Sequence, residues 1–62
     1  MIWFIHENSL YNLSQCMEIR KYDEESIILY FLGGDEVLDF DSEEEREQAW
    51  MNIMYLTKVI GD

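Results

Sequence analysis

Asp39-Phe40-Asp41 is the one place in this chain where two carboxylates stand at a spacing that could do chemistry. On an extended strand they point to the same side, about 6.6 Å apart at ~3.3 Å per residue. Glu43 and Glu44 follow closely as further oxygen donors for a divalent cation. A calcium loop needs alternating oxygen ligands, a central glycine and a distant glutamate. Here Phe40 and Ser42 interrupt the run and no glycine lies within it. The pair is expected to hold no specific metal.

The other candidates for chemistry are single residues. His6-Glu7 lies beside Trp3, but no nucleophile stands at a recognisable spacing, so His6 reads as a strand-end residue near a turn. Cys16 is the only cysteine, which excludes an internal disulfide, and one Cys with one His cannot complete a structural zinc site. A reactive thiol needs an electropositive setting, and this chain supplies little of that, so Cys16 reads as a small buried apolar residue. Gly33-Gly34 precedes Asp35-Glu36, which would repel a phosphate, and no lysine follows. No catalytic set emerges. The expectation is a protein without enzymatic activity or cofactor.

The elements that position these residues follow from periodicity. Ser42 and Glu45 match the capping box that opens a helix. Glu43, Glu44 and Glu45 fill a first turn in which the helix dipole favours negative charge. Gly61 follows the last apolar residue as a stop signal, so a helix is expected over 43–60. Before it, strands are expected at 2–5, 16–22, 27–32 and 36–40. Residues 16–22 alternate, with Met17, Ile19 and Lys21 against Glu18, Arg20 and Tyr22. Residues 27–32 are apolar throughout, so both faces need cover. Asp23-Glu24-Glu25-Ser26 and Gly33-Gly34 read as hairpin connections. The sum is a single α+β domain over 1–62: a mostly antiparallel four-stranded sheet (ββββα) with the C-terminal helix packed on one face.

The helix carries more apolar surface than one face needs. Ala49, Trp50, Ile53, Leu56, Thr57 and Ile60 form a broad face for the sheet. Met51, Tyr55 and Val59, at i, i+4 and i+8, form a second stripe on the opposite side. A 62-residue chain buries only about 60% of its unfolded surface. With neither disulfide nor metal available, oligomerisation is the remaining support. The stripe is therefore expected to serve an oligomer or partner interface, a homodimer above all.

Fourteen acidic residues against four basic ones leave a net charge of −10. Direct nucleic-acid binding and anionic membrane surfaces are disfavoured, because both need Lys and Arg. No run approaches the ~20 apolar residues of a membrane span, and a cytoplasmic location is expected. The carboxylates Glu24, Glu25, Glu44 and Glu47 are the candidates for an acidic surface that meets a basic partner protein.

Leu13, Ile19, the 27–31 strand, Gly33-Gly34 and the Ser42–Glu45 helix start together resemble small uncharacterised bacterial and phage proteins of strand-and-helix build. In size and acidity the chain is similar to phage-encoded inhibitors of the anti-CRISPR and anti-restriction class. That likeness implies a non-enzymatic inhibitor occupying a basic, nucleic-acid-binding surface of a partner. The alternatives are a homo-oligomeric module enclosing a small ligand or nucleotide and, behind it, a metal-dependent enzyme resting on Asp39 and Asp41. A nucleotide would need a basic anchor among Arg20, Lys21, Arg46 and Lys58.

Overall fold

The computed structural model describes residues 2–61, and the side chains of residues 2–58. Its elements in chain order are β1 (Trp3–His6), β2 (Ser9–Asn12), a 3₁₀ turn (Leu13–Gln15), β3 (Glu18–Asp23), β4 (Ser26–Phe31), β5 (Gly34–Asp39) and α1 (Glu43–Gly61). The α+β class, the antiparallel pairing and the C-terminal helix are as expected. The single four-stranded sheet is not: β1 and β2 form a two-stranded sheet, and β3, β4 and β5 form a separate three-stranded meander.

The extra strand explains the split. Ser9-Leu10-Tyr11-Asn12 is polar at both ends, so its alternation is too short to read as a strand. Its turn is equally quiet, since Glu7-Asn8 lacks glycine, yet Glu7 takes a positive φ of 56°. That conformation is costly for a residue with a Cβ. It lets a two-residue loop pair His6 with Ser9, Ile5 with Leu10, Phe4 with Tyr11 and Trp3 with Asn12. The Leu13 N–H, bonded to the Ile2 carbonyl at 2.7 Å, closes the hairpin. Asn12 then caps the 3₁₀ turn by accepting the Ser14 N–H at 3.1 Å. This turn and Cys16, whose N–H bonds back to Leu13, separate the hairpin from the meander.

Strand limits shift for the same kind of local reason. The expected 16–22 strand starts at Glu18, because Cys16 ends the 3₁₀ turn. Leu32, expected in a strand, is a turn residue with Gly33, and the fifth strand begins at Gly34 rather than 36. Gly34 pairs with Phe31 at a φ of 152°, a conformation suited to glycine. The link at 23–26 is a tight turn, with Asp23 already paired to Ser26.

The core lies between the meander and the helix. Ile2, Leu13, Ile27, Leu29, Leu38, Ala49 and Ile53 are buried together, with Phe4, Tyr11, Cys16, Ile19, Phe31, Phe40, Trp50 and Leu56 around them. Ile27 and Leu29 of the all-apolar strand face the helix. Ile28 points the other way, where the described residues form no second layer, yet it is only 6% exposed. Its cover comes from the flanking strands, where Arg20 and Val37 stand directly opposite it. Cross-strand neighbours thus do locally what a second layer would do, the Arg20 stem among them. The expected helix face is as drawn for Ala49, Trp50, Ile53, Leu56 and Thr57, while the side chain of Ile60 lies outside the described residues.

Candidate functional site

Two surfaces stand out, and each is assembled by a different element. The first is an acidic pole. The turn between β3 and β4 brings Asp23, Glu24 and Glu25. The end of β5 and the link to the helix bring Asp39 and Asp41. The first helical turn brings Glu43, Glu44 and Glu45. All of these are exposed.

Their backbones are tied together by a few bonds. The Phe40 N–H donates to the Glu25 carbonyl at 2.8 Å. Asp23 folds its own turn, its Oδ1 accepting the Ser26 hydroxyl at 2.6 Å and the Glu25 N–H at 2.9 Å. These two bonds, the Ser26 hydroxyl foremost, hold the Asp23 carboxyl below the usual carboxylate range. Ser42 caps the helix as expected, its Oγ accepting the Glu45 N–H at 3.1 Å.

Arg46 joins the pieces, and sequence reasoning missed it. It is buried, donating from Nη1 to the Asp23 carbonyl at 2.7 Å and standing 2.9 Å from Glu47 Oε2. The helix start is thereby clamped to the β3–β4 turn. The signal was present: Arg46 lies at i−3 from Ala49 and i−7 from Ile53, on the core face of the helix.

Glu47 departs from the expected acidic surface. Its carboxylate lies 2.9 Å from both Lys21 Nζ and Arg46 Nη2 through Oε2. Both cations approach Oε2 off its hydrogen-bonding directions, and the directed bond runs from Lys21 Nζ to Oε1 at 3.1 Å. That bond, aided by the two positive charges, holds the Glu47 carboxyl below its ordinary value. Lys21 also lies 5.4 Å from the centre of the Trp50 ring. Glu47 is thus an internal tie between helix and sheet, whereas Glu24, Glu25 and Glu44 remain free to meet a partner.

The other candidate residues are dispersed. Asp39 ends β5 and Asp41 lies in the following bend. Among the described residues no group of three or more His, Cys, Asp or Glu side chains could hold a metal ion. His6 packs on Phe40 with ring centres 4.5 Å apart. Its Nε2 is 3.7 Å from Glu7 Oε1, too long for a hydrogen bond. Partial burial against the core pushes the Cys16 thiol up.

The second surface is apolar. Trp3, Phe4 and Ile5 of β1 face Asn52, Tyr55 and Leu56 of the helix across an open groove of about 340 Å³. Tyr55 thus belongs to the groove as well as to the expected stripe. Met51 and Tyr55 are exposed, while the Val59 side chain lies outside the described residues.

Compared with known proteins, the chain matches no protein-family model, no curated protein and no solved structure. Among the described residues no helix is long and apolar enough to cross a membrane.

Proposed function

We propose that this protein acts without catalysis, as a small acidic inhibitor that occupies a basic, nucleic-acid-binding surface of a partner protein. The observation that carries this reading is the convergence of three acidic segments at one pole, with only Arg46 among them and that cation turned inward. Exposed carboxylates in such density create a negative field that steers a basic partner at long range. They also resemble a phosphate array in charge, so the partner's Lys and Arg residues meet a substitute for nucleic acid. The pole is preorganised by the Asp23 turn and the Ser42 cap, which limits the ordering cost on binding.

The test is capture of partners on the immobilised protein, followed by kinetics on the captured partner and its competition with DNA. Glu24→Gln, Glu25→Gln and Glu44→Gln together should slow association by roughly tenfold or more at low salt. Salt should weaken the complex in the same way, and DNA should compete for the partner. Binding indifferent to salt, to the triple substitution and to DNA would overturn the proposal.

A further inference from the structure

The molecule has several open strand edges, and they are not alike. β3 carries Glu18, Arg20, Lys21 and Asp23 along its length, and β5 carries Asp35, Glu36 and Asp39. Charged edges of this kind discourage pairing with another chain. β2 has the same four-residue length as β1 but polar ends in Ser9 and Asn12. β1 reads Trp-Phe-Ile-His, with no carboxylate at any position.

The register shows which groups β1 leaves unpaired. His6 and Ser9 flank the two-residue turn, so they form a pair that exchanges hydrogen bonds, and by alternation so do Phe4 and Tyr11. The Leu13-to-Ile2 bond continues the same alternation. The N–H and C=O groups of Trp3 and Ile5 therefore point to the free edge, away from β2. The side chains of these two residues stand on the outer face of the hairpin with Leu10, which is paired to Ile5. The groove shared with the helix contains no β2 residue, so it runs along this same free edge.

We propose that β1 pairs with β1 of a second copy of this chain, antiparallel about Phe4, joining two hairpins into one four-stranded sheet. In that register Trp3 meets the partner's Ile5, and Ile5 meets the partner's Trp3. Each such pair exchanges both of its N–H···O bonds, so the unpaired groups on the edge satisfy one another. Antiparallel strands related by a two-fold axis allow this with identical partners, which suits the commonest closed symmetry.

Charge and area both favour a second copy. No residue of β1 or of the groove carries a carboxylate, and the nearest in sequence, Glu7, lies in the turn beyond the strand's end. Trp3 is 46% exposed, Ile5 71%, Leu10 56% and Tyr55 69%. At roughly 200 Å² per large side chain, these four leave roughly 500 Å² of apolar surface in water, towards the upper end for monomers. With the strand backbone added, this reaches the ~600 Å² per partner at the low end of standard interfaces. An isolated two-stranded hairpin is also marginal by itself, and four strands are not. The proposal is independent of the acidic pole.

The test combines light scattering with amide hydrogen exchange on the unmodified protein at low and high micromolar concentration. The expected result is a doubled mass at high concentration, with the Trp3 and Ile5 amides protected at least tenfold more than at low concentration. The Phe4 and His6 amides, bonded within the hairpin, should be protected at both. Ile5→Lys, with its fold checked by circular dichroism, should remain a monomer. A monomer mass for the unmodified protein at high micromolar concentration would overturn the proposal. So would a dimer whose Trp3 and Ile5 amides exchange freely at both concentrations, or one that survives Ile5→Lys and is split by Met51→Glu. Either result would place the contact on the helix stripe instead. Should Ile5→Lys fail to fold, exchange on the unmodified protein decides.

Discussion

The acidic pole and the β1 edge are both surfaces, but they differ in how their backbones are satisfied. At the pole, the Asp23 and Glu25 carbonyls accept bonds from Arg46 and Phe40, and the Glu25 and Glu45 N–H groups are bonded by Asp23 and Ser42. The dense charge sits on a backbone closed within the chain, and its carboxylates are content in water. At the β1 edge no side chain is a carboxylate, lysine or arginine, and the Trp3 and Ile5 backbone groups have no partner strand among the described residues. Water can hydrate those groups, but it cannot favourably hydrate the indole and the isoleucine beside them. Charge density therefore marks the surface proposed to steer a basic partner. Open backbone beside apolar side chains marks the surface proposed to pair with a second copy.

The comparison breaks most easily at Arg46. Arg46→Met removes the clamp on the Asp23 carbonyl and leaves Glu47 with Lys21 alone. The expected loss is roughly 2 kcal/mol, the worth of a hydrogen bond from a charged group, read as a lower urea midpoint; an unchanged midpoint would mean that the pole holds without it. Next in size is the helix cap. Ser42→Ala should cost about 1 kcal/mol, visible in thermal unfolding as a lower Tm.

Acid should weaken the pole further. The Asp23 and Glu47 carboxyls titrate lower in the folded protein than in the unfolded chain. The stability they contribute is present above the unfolded value and is lost as pH falls through the depressed folded one. Urea midpoints measured below the ordinary carboxylate range should fall more steeply for the unmodified protein than for Asp23→Asn. Equal slopes would show that the Asp23 turn contributes nothing. The smallest effect on folding belongs to the edge: Ile5→Lys should change stability by no more than about 0.5 kcal/mol. A large loss would mean that Ile5 supports the monomer, and the contrast between the two regions would fail.

Much of this architecture was legible in the residues. The Ser42 cap, the glutamate-rich first turn and the apolar face from Ala49 to Thr57 follow from spacing along a single helix, where each signal lies within a few residues. The β4 strand announces itself by an unbroken apolar run, and the Glu24-Glu25 turn by its polarity. The β2 strand was hidden because four residues give only two alternations, and because its turn uses Glu7 at positive φ in place of glycine. Without β2, the free edge of β1 could not be located, and the stripe of Met51, Tyr55 and Val59 stood beside the both-face-apolar 27–32 strand as the excess apolar surface in view.

Local grammar thus determined the helix, its start, the meander strands and the absence of a disulfide, because these depend on neighbours in sequence. Tertiary structure decided what depends on neighbours in space. It turned Arg46 inward between two distant turns and spent Glu47 on Lys21, since a buried cation must find its partners wherever the fold brings them. It split the sheet after Asn12, because a hairpin that closes on Leu13 and a 3₁₀ turn leave β1 no second strand among the described residues. It set Tyr55 across from Trp3 and Ile5, a meeting of residues fifty positions apart that no periodicity encodes.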